Sequence, residues 1–215
     1  MILKKISVKS GIADPTNCYI VADDESKEAF VIDPGGEPEK IIEMINILGV
    51  TVKYIILTHC HGDHIGALEV VKNATNAKIL IHTDDSEGLY TDTISLSYYV
   101  GLINPEIEAD SRLNDGDKIH IGNLEFDIIH TPGHTQGGIC IYSAEHKMLF
   151  SGDTVFRGSW GRTDLPTGSF EKIIQSITNK IMVLPEETII YPGHGKSTMV
   201  KEEETIYLDL KGKSY

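Results

Sequence analysis

Three imidazoles and a carboxylate fall inside the run Thr58-His59-Cys60-His61-Gly62-Asp63-His64. Imidazole nitrogen and carboxylate oxygen together suit zinc, iron or manganese better than calcium or magnesium. No Lys or Arg interrupts the run, which sets it apart from an ordinary polar surface loop. His59, His61 and Asp63 alternate, so an extended segment would project all three to one side. His64 then points elsewhere, which suits a second ion beside the first. Cys60 falls on the opposite face of the same alternation and reads as a buried structural thiol rather than a nucleophile.

Three later stretches each end an apolar run with one potential ligand among small turn residues. They are Ile128-Ile129-His130-Thr131-Pro132-Gly133-His134-Thr135, Leu149-Phe150-Ser151-Gly152-Asp153-Thr154 and Ile189-Ile190-Tyr191-Pro192-Gly193-His194-Gly195. A lone Pro-Gly-His is usually a turn, but three such stretches after the first cluster form a set. Glycines beside His134, Asp153 and His194 predict close approach of backbone and metal. His82, His120, His130 and His146 are expected to be hydrogen-bonded or exposed, with His82 at a strand end and able to line the site.

The elements that must position these residues can be read from the apolar pattern. Lys53–Leu57 is an apolar, β-rich run of strand length, and Ile65, Leu68 and Val71 follow at helical spacing. The first cluster therefore sits on a strand-to-helix turn, where α/β sheets place their chemistry. Residues 1–8, Cys18–Ala22 and Ala29–Asp33 read as strands, the last stopped by Asp33-Pro34-Gly35-Gly36. Ile41, Ile42, Ile45 and Leu48 mark a helix that Gly49 ends. Lys78–Ile81 is a short strand, and a helix could begin at His82-Thr83-Asp84-Asp85 with Thr83 or Asp84 as its cap. Residues 86–112 show no clean period; they are either a loop-rich insertion at a pocket mouth or a surface excursion.

Lys118–Ile121 and Leu124–Ile129 flank Gly122-Asn123, a hairpin signal. Ile139–Tyr142 and Met148–Ser151 flank a charged turn. Phe170, Ile173, Ile174, Ile177 and Ile181 make an amphipathic helix. Thr188–Tyr191 is a last strand, followed by a polar helix over about 198–208. Both halves thus run from strands to helices, which predicts an α/β fold of two packed sheets covered outside by helices.

Lys plus Arg number 19 against 32 Asp plus Glu, a formal charge of −13. That balance argues against nonspecific binding to nucleic acid or to an anionic membrane. The three cysteines, Cys18, Cys60 and Cys140, give no disulfide framework, and a cytoplasmic setting is expected. No stretch approaches a membrane span. The length suits one domain over 1–215.

The ordered set of motifs resembles the metallo-β-lactamase-fold hydrolases, and within them the glyoxalase II-like (hydroxyacylglutathione hydrolase-like) branch. The resemblance extends from Asn17-Cys18-Tyr19 to Pro192-Gly193-His194-Gly195. It implies a four-layer αββα sandwich of two mixed sheets. It also implies two divalent ions, with zinc the first choice and iron or manganese as alternatives. One ion would be held by His59, His61 and His134, the other by Asp63, His64 and His194, with Asp153 bridging both. Gly161-Arg162-Thr163-Asp164 is similar to a segment of short glyoxalase II-like enzymes and of persulfide dioxygenases, and by that position Arg162 would hold a substrate anion. Trp160, just before it, would either shape the pocket wall or cover the core.

Departures narrow the expectation. Only about twenty residues follow His194, so the resemblance is expected to be to a short form without the helical C-terminal domain that helps glyoxalase II proper bind glutathione. Arg162 and Asp164 stand where the family often has Lys and Tyr. The bridging Asp153 disfavours a β-lactamase, and His61 disfavours a flavodiiron-type oxidoreductase.

Paired ions about 3.5–4 Å apart can share a water and bring its pKa from about 15.7 to near 7. The resemblance therefore implies hydrolysis of S-acyl thioesters, with bound hydroxide as nucleophile and Asp63 orienting it. A small-molecule thioester of the S-lactoylglutathione kind is the expected substrate. An iron-dependent persulfide dioxygenase, or a hydrolase of another ester or lactone, is the alternative.

Overall fold

The computed structural model describes residues 1–211; the last four residues of the span 1–215 expected as one domain lie outside the described residues. The first half runs β1 (Ile2–Val8), β2 (Thr16–Ala22), β3 (Glu28–Ile32), α1 (Pro38–Leu48), β4 (Thr51–Ile56), α2 (Gly62–Ile65), α3 (Leu68–Thr75), β5 (Lys78–His82), α4 (Asp92–Ser95) and β6 (Ser111–Leu113). The second runs β7 (Lys118–Ile121), β8 (Leu124–His130), β9 (Ile139–Ser143), β10 (Met148–Gly152), a small hairpin of β11 (Val155–Phe156) and β12 (Ser159–Trp160), α5 (Phe170–Ser176), β13 (Ile189–Pro192), β14 (Thr198–Met199) and α6 (Val200–Lys211).

Six strands form each main sheet. The first has the order β1-β2-β3-β4-β5-β6 and the second β14-β13-β10-β9-β8-β7. Both are mixed: β3, β4, β5 and β6 pair in parallel, as do β10 and β13, while the remaining neighbours are antiparallel.

Side-chain alternation along each strand decides the layers. In β2, Tyr19 and Val21 face the other sheet, while Cys18, Ile20 and Ala22 face the helices. In β9, Ile139 and Ile141 point inward, and Cys140 and Tyr142 point toward the outer helices. Ile41 and Ile45 of α1 and Leu68 and Val71 of α3 cover the first sheet. Ile173 of α5, Ile177 and Ile181 of the π-type turn that continues it, and Tyr207 of α6 cover the second. The result is the four-layer αββα sandwich.

Between the sheets, Tyr19 meets Phe150 edge-on at 5.2 Å and Phe30 meets Phe126 at 4.8 Å. Each such buried side chain contributes about 1.5–3 kcal/mol, against roughly 0–1 kcal/mol for an exposed ion pair. The inter-sheet core, not the surface charge, therefore holds the two halves together. Among the described residues no helix is long and apolar enough to cross a membrane.

Two local expectations differ. Residues Thr83–Leu89 form a 3-10 turn, and the cap is the His82 ring, whose Nδ1 accepts from Asp84 N–H at 3.2 Å, rather than Thr83 or Asp84. Within 86–112, α4 and the turn Tyr98–Val100 place Ser95, Leu96, Tyr99 and Val100 on the wall of the main cavity, so the segment shapes a pocket mouth.

Candidate metal centre

All seven donors predicted from sequence meet at one edge of the sandwich. His59, His61 and His134 form one triad of ligand atoms and Asp63, His64 and His194 a second, each within 4.8 Å. The first four come from the loop after β4 and from α2. His134 follows β8, Asp153 follows β10 and His194 follows β13. Asp153 lies between the triads. Its Oδ1 is 3.4 Å from His64 Nε2, and its Oδ2 is 3.6 Å from His134 Nε2 and 3.5 Å from His194 Nε2.

Strict alternation along 59–63 fails at Asp63. The chain turns helical at Gly62, which swings Asp63 away from His59 and His61 and toward His194, with Oδ2 at 3.2 Å from His194 Nε2. The i, i+2, i+4 reading holds for His59 and His61 only.

The imidazoles are oriented from behind. His64 Nδ1 donates to Asp33 Oδ2 at 2.9 Å, His134 Nδ1 to the Arg162 carbonyl at 2.7 Å, and His194 Nδ1 to the Pro15 carbonyl at 3.1 Å. Thr58 Oγ1 donates to Asp33 Oδ2 at 2.6 Å, so it accepts from His59 Nδ1 at 3.1 Å. With Nδ1 held by an acceptor behind it, each of these four rings turns its Nε2 inward. His61 is turned the other way, its Nδ1 facing His134 Nε2 at 2.9 Å.

These donors fit divalent ions. On the side of the centre, His59 Nε2 and Asp153 Oδ1 are buried with no hydrogen-bond partner in the structure. Orphaned buried polar atoms of this kind are costly unless something occupies them. Burial, reinforced by neighbouring imidazoles, holds His59 and His61 well below the usual histidine pKa, so they stay neutral, as ligands must. Burial also works against charge on His64, yet the carboxylates of Asp153, Asp63 and Asp33 outweigh it and push its pKa up to about 10. Asp63 is held below the ordinary carboxylate range: burial opposes ionisation, but His64 and His194 prevail. The carboxylates thus demand a positive charge at the centre, which an ion supplies better than a proton.

Sequence reading missed two supporting carboxylates. Asp33, read only as a strand stop, ties Thr58 N–H at 2.8 Å, the Thr58 hydroxyl and His64. Asp85, fully buried, accepts from Cys60 N–H at 3.1 Å, the Thr135 hydroxyl at 2.7 Å and Gly137 N–H at 2.6 Å. Asp85 thereby joins the loop of His59 and His61 to the loop of His134. The available signal was an Asp just past a strand end.

The glycine expectation is refined. A Cβ on Gly193 would lie 2.2 Å from Asp153 Oδ1 and 2.7 Å from the His64 ring, and one on Gly161 would lie 2.0 Å from the Asp153 carbonyl. Both make room for Asp153. Gly133 instead admits the start of α5, its Cβ position lying 2.3 Å from Ile173 N.

The donors open into a cavity of about 960 Å³. Arg162 lines it but forms a bidentate pair with Asp164 at 2.9 and 2.8 Å. Trp160 packs against Tyr207 beneath the second sheet, so it covers the outer core. Cys60 is buried under Gly88. His120 is exposed beside Glu125, and His146 hydrogen-bonds Ser143. His82 and His130 stack at 4.0 Å outside the cavity lining, and Asp84 completes a group with them.

Two substitutions probe the centre. In Asp153→Ala, elemental analysis should show loss of both ions together with turnover; two ions per chain and full activity would remove Asp153 from the bridge. Asp85→Asn preserves size but takes away one acceptor oxygen. It should weaken ion retention by about 10- to 100-fold, the cost typical of supporting groups. Competition with a coloured chelator on folded protein reads this, and unchanged retention would make Asp85 a packing residue only.

The superfamily profile for metallo-beta-lactamases matches residues 11–194. The hydroxyacylglutathione hydrolase GloC of Haemophilus influenzae is 37% identical over 92% of this chain and 94% of its own length. The solved BLEG-1 B3 metallo-beta-lactamase superimposes with a TM-score of 0.90 at 35% identity, covering 98% of this chain and all of the other. TTHA1623, solved in a di-iron-bound form, gives 0.82 at 31% identity, covering 94% and 96%. With the αββα sandwich, the donor set at its edge and these likenesses agreeing, the chain belongs to the metallo-β-lactamase superfamily, whose members bind divalent metals.

Proposed function

We propose that this chain is a dinuclear metal-dependent hydrolase of S-acyl thioesters of the S-lactoylglutathione kind. The observation that carries the reading is the pair of His/Asp triads with Asp153 between them, opening directly into the cavity. His59, His61 and His134 would hold one ion and Asp63, His64 and His194 the other, with Asp153 shared. Zinc is the first choice. The di-iron form of TTHA1623 keeps iron in view, and manganese suits the same donors. Bound there, the ions would supply Lewis acidity and lower the pKa of a water.

The chain's own residues do the rest. Asp63 lies at the cavity wall on the second triad and accepts the hydrogen bond that orients the attacking water. Asp33 keeps His64 in the tautomer that points Nε2 inward. Among the described residues the donor groups at the centre are His and Asp only, with no Lys or Tyr among them to protonate a departing amine, whereas a thiolate leaves with little help. That favours thioesters over amides, and the likeness to the GloC hydrolase supports the same substrate class.

Zinc-loaded protein should hydrolyse S-lactoyl thioesters and take up no oxygen with glutathione persulfide. A thioester absorbance assay and an oxygen electrode on one sample check this. Iron-dependent oxygen uptake with persulfide, and no thioester loss with any metal, would assign the dioxygenase reaction instead.

Arg162→Ala should raise KM with little change in kcat, because a cation at the cavity wall acts on ground and transition states alike. Its exposure and its pairing with Asp164 put the rise at about tenfold, the low end for a charge-assisted hydrogen bond. An unchanged KM for an anionic thioester would leave Arg162 a surface ion pair.

A further inference from the structure

The chain is acidic, with 32 Asp plus Glu against 19 Lys plus Arg, yet its main cavity reverses that balance. Apart from Asp63 and Asp153, which face the metal centre, the lining includes one carboxylate, Asp14, against four cations: Lys5, Arg157, Arg162 and Lys196. Arg162 is engaged by Asp164. Among the described residues, none of the other three has a carboxylate within 4 Å.

The three unpaired cations stand together on the His194 side. Lys5 Nζ donates to the Gly195 carbonyl at 3.1 Å, which fixes it against the loop that carries Lys196. Phe156 meets the His194 ring edge-on at 6.1 Å, and Arg157 follows it at the tip of the β11–β12 hairpin. That tip is anchored from behind. Buried Glu203 of α6 accepts from Gly158 N–H at 2.8 Å and from the Thr198 hydroxyl at 2.6 Å, and Tyr207 donates to the Ser159 carbonyl at 2.5 Å. That buried carboxylate is thus engaged by a backbone N–H and a hydroxyl, and among the described residues no carboxylate pairs with the Arg157 guanidinium.

We propose that Lys5, Arg157 and Lys196 form an anion-binding wall, and that the thiol carrier of the substrate is multiply anionic. This rests on the thioester reading for the substrate's chemistry, but the wall itself is defined by the three side chains. Gathered charge at a cleft wall raises the local concentration of an oppositely charged ligand, and in an acidic protein it must also overcome the long-range repulsion of the whole molecule. All three side chains are exposed, so their effect must be screened by salt.

The test compares zinc-loaded wild type with the triple variant Lys5→Gln, Arg157→Gln, Lys196→Gln. The substrates are S-lactoyl thioesters of three carriers: neutral N-acetylcysteamine, glutathione with its carboxylates, and coenzyme A with its phosphates. Binding of the matching S-hexyl thioethers is measured in parallel by calorimetry. Wild type should favour at least one anionic carrier over the neutral one by about tenfold or more, in kcat/KM and in affinity, with the preference fading as salt rises. Preference for the glutathione or the coenzyme A arm tells whether carboxylates or phosphates are recognised. In the triple variant the preference should collapse toward unity. Equal binding of neutral and anionic thioethers by wild type, or an undiminished preference in the variant, overturns the wall. Charge-selective binding without hydrolysis of any thioester under any metal upholds the wall and overturns the thioesterase reading instead.

Discussion

The buried carboxylate of Asp33 holds the centre in register. It sits at the end of β3, beside the parallel strand β4, and takes up the backbone N–H and hydroxyl of Thr58 and the Nδ1 proton of His64. Through Thr58 it also fixes the tautomer of His59. One residue outside the donor set therefore decides which nitrogen two ligands present. Its position depends on the β3–β4 pairing, which brings Ile32 opposite Ile56, so a slip of that register would disorganise both triads. His134 and His194 are oriented by the carbonyls of Arg162 and Pro15, which come from distant parts of the chain. The centre is thus a property of the whole sandwich, not of the His-rich run.

A second tie crosses the sheets at the same edge. Tyr19 Oη and Asn17 Nδ2 both donate to the Pro192 carbonyl, at 2.7 and 2.9 Å, and Asn17 N–H donates to Gly193 at 2.7 Å. The start of β2 in the first sheet therefore clamps the turn that carries His194 in the second. Asp85 does the same between the loops of His61 and His134. These bonds are buried, where the loss of one partner leaves a polar group stranded at about 1–3 kcal/mol. They are few, but each acts within three residues of His59, His61, His134 or His194.

Most of the strand pattern and the seven His and Asp residues that gather at this edge could be picked out from the sequence, because both leave local marks. Alternation writes itself into β2 and β9, and His, Asp and Gly at strand ends write themselves as motifs. What could not be read is non-local. Nothing near Asp33 or Asp85 says which backbone N–H each will meet, since the partners lie 25 to 52 positions away. Asp63 departs from the period-two alternation because a helix begins inside the motif, at Gly62, and a switch of period within four residues lies below what periodicity can resolve. The segment 86–112 stayed opaque for the opposite reason. Its short turns bury too few apolar side chains to set any period, and its role comes from where it lies, beside the cavity.

Why the donors gather at one edge follows from strand direction. In a parallel pair the carboxyl ends lie side by side, and loops leaving them emerge together. β3, β4 and β5 are parallel, so Asp33, the 58–64 run and Asp85 leave the first sheet at the same edge. β10 and β13 are the parallel pair of the second sheet, and they deliver Asp153 and His194 next to each other, with Gly193 N–H bonded to the Gly152 carbonyl at 2.8 Å. His134 joins them because β8 runs antiparallel to β9, which is itself antiparallel to β10, so β8 and β10 point the same way. A purely antiparallel meander would have sent neighbouring strand ends to opposite edges and scattered the ligands. The mixed topology therefore does chemical as well as architectural work, since it lets seven residues spread over 136 positions of chain, from His59 to His194, face one small volume.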